Sequence, residues 1–390
     1  MNAQPFHIGA QITIRAGELV AGGAAIARID GFPIFVHGLY PGDEARVSLT
    51  EVKKGFAHAE VVELLSGGPE RRTDPCPIAG ECGGCDWTSL RLDAQLRAKQ
   101  RILTESLRRI GKLDADALPP ITLHPSPLNY RLRSRLHREG DRVGFYAAKS
   151  NDVVQLSTEC EVVGRYTAMA FGERPDVVRS LEDEEDETTG DEDVSVWEIG
   201  NRLLVGQLEL EISVDDYNFQ LSTESFFQVN RHLLATMIHL VEGLAGKVTR
   251  PRLAIELYAG VGFFTAPISR VFERTIAVEG SPESHRYARR NAQGRTQTVH
   301  APVESWVRRM PDADLIFLDP PRAGARSEVI DIVSKKARQM ICYLSCDPVT
   351  FSRDANRLTA SGWRLATLDL LDLFPNTHHV ETLASFERAQ

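Results

Sequence analysis

Three of the six cysteines, Cys76, Cys82 and Cys85, fall within ten residues, in a stretch rich in Gly and Pro from Gly67 to Trp87. In a compartment that keeps thiols reduced, such a cluster reads as a metal or cluster site rather than a disulfide framework. Joined by Cys160 they give four thiolates, which suit either an iron–sulfur cluster or tetrahedral zinc. The remaining two stand near the C-terminus. Cys342 lies inside the apolar run Met340 to Ser345, where core packing is its role. Cys346 emerges at the tip of that run, where a thiolate can reach a substrate. A lone cysteine at a strand end ordinarily reads as packing, so Cys346 needs support from its surroundings.

That support comes from other strand ends. The phrase Glu256-Leu257-Tyr258-Ala259-Gly260-Val261-Gly262 closes one apolar run, and Glu279 closes the next, nineteen residues after Gly260. A Gly-rich turn lets a ligand approach the backbone, and an acid at the neighbouring strand tip accepts hydrogen bonds from ribose hydroxyls. A dinucleotide fingerprint wants a third small residue where Thr265 stands, so S-adenosylmethionine, which needs no phosphate cradle, fits better than a pyrophosphate cofactor. Asp319, in Leu318-Asp319-Pro320-Pro321-Arg322, puts a further carboxylate at the end of a third run.

The elements that must hold these residues follow from the pattern. From Arg252 onward, apolar runs at Leu253 to Tyr258, Thr275 to Glu279, Gln297 to His300, Leu315 to Leu318, Met340 to Ser345 and Arg364 to Asp369 alternate with helical stretches such as Pro282 to Ala292 and Val349 to Ala360. This predicts a doubly wound, largely parallel sheet over 219–390, an α/β class. Residues 1–66 carry five short strands, Gln11 to Ile14, Ala25 to Ile29, Ile34 to Val36, Glu44 to Leu49 and Ala57 to Leu64, broken by Gly and Pro turns. They predict a small OB-like β-barrel, a frequent RNA binder. Between them, 67–218 reads as a central, mainly β domain carrying the cysteine loop and a helix over Asp93 to Ile110 that Gly111 stops.

The net charge of −9 comes from 54 acids against 45 bases, and nine of the acids crowd into Glu182 to Glu187 and Asp191 to Asp193. Elsewhere the chain is neutral, and Arg97 to Arg142 holds eleven Lys or Arg against five acids. This basic segment is masked by the overall pI and fits a nucleic-acid partner. Within it Arg131, Arg133 and Arg135 alternate on one strand face, a ladder that can follow a phosphate backbone or form a solvated face with salt bridges. The acidic stretch reads as a solvated loop without chemistry. No run of ~18 apolar residues and no signal pattern occurs, so a cytoplasmic location away from membranes is expected.

Taken in order, these motifs resemble the RNA (uracil-5-)-methyltransferases, in the branch with an N-terminal TRAM domain and an iron–sulfur cluster that acts on 23S ribosomal RNA. The resemblance rests on the barrel, Cys76-x5-Cys82-Gly-Gly-Cys85, Phe226-Phe227-Gln228-Val229-Asn230, the Gly turn, Leu318 to Gly324, Ser345-Cys346-Asp347-Pro348 and His379-Val380-Glu381-Thr382, and so spans almost the whole chain. It implies a Rossmann-like methyltransferase domain at 219–390 and a TRAM barrel at 1–66. Cys346 would be the nucleophile and Glu381 the base. Gln228, Tyr258, Gly260, Glu279, Pro302 and Asp319 would contact S-adenosylmethionine. Cys76, Cys82, Cys85 and Cys160 would hold a 4Fe–4S cluster that organises the loop and RNA surface; their spacing does not match radical S-adenosylmethionine enzymes. Phe263 stands where the family usually has Asn, which exchanges a polar cofactor contact for packing. The implied partner is RNA, ribosomal or transfer, with no obligate protein partner. Two other functions compete. A base amino-group methyltransferase would explain Asp319-Pro320-Pro321 but leave Cys346 and Glu381 idle, and a non-catalytic iron–sulfur RNA-binding protein would not need either.

Overall fold

The computed structural model describes residues 6–173 and 193–389. Of the acidic stretch, only Asp193 lies among the described residues.

The first five strands, β1 (Gln11–Arg15), β2 (Ala25–Ile29), β3 (Phe32–Val36), β4 (Glu44–Val52) and β5 (Ala57–Ser66), pair in the order β1-β4-β5-β3-β2. Alternation turns Ala45, Val47 and Leu49 inward while Glu44 and Arg46 face solvent. Helix α1 (Leu92–Arg109) follows, burying Ala94, Ala98, Ile102, Leu103 and Leu107 along one stripe. Strand β6 (Ile121–His124) comes next.

The central region contains β7 (Arg133–Glu139), β8 (Arg142–Tyr146), β9 (Val153–Gln155), α2 (Arg165–Glu173), β10 (Asp193–Ile199) and β11 (Arg202–Val205), with the sheet order β11-β10-β7-β8-β9. A separate hairpin joins β12 (Glu209–Val214) to β13 (Tyr217–Ser222). Helix α2 stands in a region whose sequence reads as mainly β.

From α3 (Leu234–Ala245) the chain alternates strand and helix: β14 (Leu253–Leu257), α4 (Thr265–Val271), β15 (Arg274–Glu279), α5 (Pro282–Asn291), β16 (Thr296–His300), α6 (Val303–Trp306), β17 (Ala313–Leu318), α7 (Ser327–Lys336), β18 (Ala337–Ser345), α8 (Pro348–Ala360), β19 (Trp363–Leu371) and β20 (Glu381–Arg388). Helices α5 and α8 start where local chemistry directs. Ser281 and Asp347 accept the backbone N–H of Ser284 and Thr350, and Pro282 and Pro348 follow at the first helical position.

The sheet order is β16-β15-β14-β17-β18-β20-β19-β6. All neighbours run parallel except β20, which lies antiparallel between β18 and β19. The edge strand β6 comes from the chain segment before the central sheet. One face of the large sheet, with Ile255, Ile316 and Ile341, shares a continuous core with α1 and the barrel. The other, with Ala254, Phe317 and Cys342, packs on α3 and the β12–β13 hairpin. Burial on both faces explains why the parallel strands read as unbroken apolar runs. Among the described residues no helix is long and apolar enough to cross a membrane.

Candidate active site

The C-terminal ends of the parallel strands place Tyr258, Glu279, Asp319 and Cys346 along one sheet edge, each just past or at the end of its strand. Because β20 is antiparallel, its first residue lies at that same edge. Ser345 pairs with Thr382, so Cys346 and Glu381, 35 positions apart in sequence, meet across the β18–β20 boundary. Their charges bear on one another directly.

The Gly turn after β14 is held from both sides. Gly260 and Gly262 take φ values of 56° and 89°, which only glycine adopts freely. Tyr258 also stands at φ 64°, a strained setting for a non-glycine residue at a ligand edge. Its hydroxyl donates to Glu304 Oε1 at 3.2 Å. Glu279 accepts the Gly260 N–H at 2.8 Å through one oxygen and the Ser281 N–H at 2.7 Å through the other. The acid at the second strand tip therefore braces the turn while keeping lone pairs for hydroxyls. Pro302 begins α6 beside Gly280, whose added Cβ would lie 3.7 Å from the Pro302 Cα. Gln228 is buried between β13 and α3, and its neighbour Phe227 packs on Phe263 with ring centroids 5.2 Å apart. Phe263, itself buried, also meets Phe219 at 5.2 Å and Phe264 at 4.8 Å. At this position the side chain packs against three aromatic rings.

The site is rich in carboxyls short of counter-charge. Burial pushes Asp319 up to about 7 and, with the charges of Asp319 and Glu279 added, Glu256 to about 8; part of Asp319 still faces solvent. Glu256 accepts the Thr265 hydroxyl. Glu381 is raised well above the usual carboxylate range, by burial first and then by Asp319, against the pull of Arg322. Cys346 is pushed up to about 12 by burial and the charge of Glu381; Arg322 opposes this. Arg322 is thus a cation whose charge reaches both Cys346 and Glu381. Sequence reasoning quoted it within the Asp319 motif without giving it a role, since nothing local shows that it faces Cys346 and Glu381. Its guanidinium stands 3.3 Å from His379 Nε2, and burial lowers His379 to about 4.

The three arginines of the ladder are graded rather than equivalent. Leu132, Ser134 and Leu136 are buried between them, as period two requires. Arg135 is exposed and pairs with Asp193 at 3.0 Å and Glu224 at 3.4 Å. Arg133 lies over Trp197 and Phe226 at 5.8 and 5.1 Å and donates to the Ser225 carbonyl. Arg131 precedes β7 and turns inward, its guanidinium 5.0 Å from the Phe145 ring.

Arg131 faces the cysteines. Cys76, Cys82, Cys85 and Cys160 are half-buried with free thiols. Burial raises the first three, Cys76 to about 11, and the charge of Cys160 reinforces each shift. The expected ligand set is gathered but not closed: among the described residues no three His, Cys, Asp or Glu side chains converge as a metal-binding group. Beside it the buried side chains of Tyr130 and Arg131 interact with one another and with the charge of Cys85.

Comparison with known proteins agrees with this architecture. Residues 202–300 and 309–389 match the family described as tRNA (Uracil-5-)-methyltransferase, and 6–62 match the TRAM domain. An uncharacterised RNA methyltransferase of Bdellovibrio bacteriovorus is 31% identical, the alignment covering 97% of this chain and 95% of that protein. The 23S rRNA (uracil(1939)-C(5))-methyltransferase RlmD of Edwardsiella ictaluri is 30% identical over 97% of this chain and 96% of its own length. The fold is similar to the Pyrococcus abyssi tRNA (uracil-54, C5)-methyltransferase solved with S-adenosyl-L-homocysteine, with a TM-score of 0.73 at 22% identity, covering 96% of this chain and 99% of that one. Full-length relatives at 30% identity or more, together with the two matched domains, show that the chain belongs to the RNA (uracil-5-)-methyltransferase family, as a member with an N-terminal TRAM domain.

Proposed function

We propose that this protein methylates carbon 5 of one uridine in 23S ribosomal RNA through a covalent Cys346–uracil adduct. The observation that carries this reading is the meeting of Cys346 and Glu381 across the β18–β20 pairing, beside the Gly turn and Asp319. Carbon 5 of uracil is a poor nucleophile. Addition of the Cys346 sulfur to carbon 6 forms a carbon–sulfur bond and turns the ring into an enolate, whose carbon 5 can take a methyl group. S-adenosylmethionine, when bound, supplies that methyl as an electrophile. Glu381 then removes the proton from carbon 5, the carbon–sulfur bond breaks, and the ring double bond is restored. Gln228, Tyr258, Gly260, Glu279, Pro302 and Asp319 hold the cofactor, with the raised carboxyls of Asp319 and Glu256 suited to a cationic ligand. Arg133 sits against the exposed ring of Phe226 and Arg135 is exposed two residues on, a face that RNA can reach.

Cys76, Cys82, Cys85 and Cys160 would hold an iron–sulfur cluster, which would supply negative charge and cross-link the loop. The buried Arg131 supports this, because its charge stands beside Cys82 and Cys85 and favours their thiolate forms.

The test is mapping of 5-methyluridine in ribosomal and transfer RNA from cells with and without the gene. Loss of a single 5-methyluridine from 23S ribosomal RNA is expected. Loss from transfer RNA alone would move the substrate, and no loss from either would overturn the reading.

A further inference from the structure

The segment joining β19 to β20 leads into Glu381, and it is anchored at several residues, Asp372 to Lys99, His378 to Asp86 and Asn376 at its middle. Asn376 is fully buried, at 0% exposure, with φ 65°, a left-handed conformation that Asn tolerates better than most side chains. All its polar groups reach other parts of the chain. Its Oδ1 accepts from Gln95 Nε2 at 3.0 Å and Arg72 at 3.1 Å, and its Nδ2 donates to Glu161 at 2.9 Å. Its N–H donates to Gln95 Oε1 at 2.7 Å, and its carbonyl accepts the N–H groups of Asp86 at 3.2 Å and Trp87 at 3.0 Å.

Two of these partners have telling positions. Asp86 follows Cys85, and Glu161 follows Cys160. The Asp86 carboxylate then accepts the His378 N–H at 3.0 Å and holds its Nδ1 at 2.6 Å. The barrel closes over this clamp: a Cβ on Gly23 would meet Asp86 Oδ2 at 2.6 Å and His378 Cβ at 2.8 Å. Next along the chain, His379 meets Arg322. Both β18 and β20 are paired on both sides. Glu381, however, opens β20 at the end of the clamped connection, whereas Cys346 lies between Ser345 of β18 and the Asp347 cap of α8, outside it.

We infer that Asn376 and Asp86 are positioning residues that fix the Glu381 segment to the two cysteine-bearing segments. Proton removal from carbon 5 thereby depends on the cysteine loop, while thiol addition and cofactor binding do not. The inference rests on the reading of Glu381 as the base. Displacing a catalytic group by about 1 Å costs on the order of 100-fold in rate, and Glu381 is the strand residue next to the connection, where loosening of that connection reaches the sheet first.

The test compares Asn376→Gly, which keeps the left-handed backbone and removes the carboxamide, with Glu381→Gln, using the full chain, S-adenosylmethionine and its RNA substrate. Asn376→Gly should lose about 10- to 100-fold in turnover, accumulate a methylated protein–RNA adduct on a denaturing gel as Glu381→Gln does, and bind S-adenosylmethionine within about twofold of the unmodified protein. Should Asn376→Gly fail to fold, Asp86→Ala carries the same expectation. Unchanged turnover, or slowed adduct formation together with lost cofactor affinity, overturns the positioning role while Glu381→Gln still stalls. Absence of adduct in Glu381→Gln itself removes the base assignment, and this inference with it.

Discussion

Asp319 and Glu256, pushed up to about 7 and about 8 chiefly by burial, keep protons in the unliganded fold that an unfolded chain releases near pH ~4. Their folded values are raised, so their contribution to stability is present at low pH and is lost as pH rises through 7 to 8. A ligand carrying a sulfonium and an ammonium favours the ionised carboxylates. S-adenosylmethionine should therefore raise the melting temperature more at pH 8 than at pH 6, and Asp319→Asn should flatten that difference. An equal shift at both pH values would contradict this account of the carboxyl cluster. The same scale bears on the proposed nucleophile. With its thiol raised to about 12, Cys346 is protonated in the free protein, and Arg322 is the side chain placed to favour the thiolate.

Local pattern made most elements legible. The expected helix Asp93 to Ile110 is α1 (Leu92–Arg109), and Pro282 to Ala292 is α5 (Pro282–Asn291), because caps and apolar stripes are written in neighbouring residues. Two strands of the large sheet were not legible. Strand β20 is buried on both faces but built partly from Thr382, Ala384 and Ser385, which do not read as an apolar run. Strand β6 has four residues and pairs with β19, 247 positions away, which no local window can show. Site residues on motifs were legible for the same reason that β14 to β18 were. Asn376, Asp86 and Arg322 were not, since their roles exist only across distant segments. At the element scale, Phe263 anchors the start of α4 on the ring cluster of Phe219, Phe227 and Phe264. Phe263→Asn should cost about 3 kcal/mol or more in urea unfolding, the range of a lost core phenylalanine, without tightening cofactor binding. A stability change below about 1 kcal/mol would show that the ring is not part of the core.

At the scale of the whole molecule, barrel, cysteine loop and methyltransferase sheet meet at Gly23, Asp86, Trp87 and His378, and Trp87 Nε1 donates to the Gly23 carbonyl at 3.2 Å. The cysteine loop is thus part of the framework around the site. Anaerobically purified protein should be brown and contain iron and sulfide, whereas a colourless protein with stoichiometric zinc would contradict the cluster. The central claim is covalent catalysis by Cys346, and its most direct measurement uses substrate RNA carrying 5-fluorouridine at the target position. Fluorine at carbon 5 cannot leave as a proton, so the unmodified enzyme should be trapped as a methylated adduct, and peptide mass spectrometry should find the nucleotide on Cys346. Cys346→Ala should form no adduct. An adduct on another residue, or methyl transfer retained by Cys346→Ala, would contradict the account.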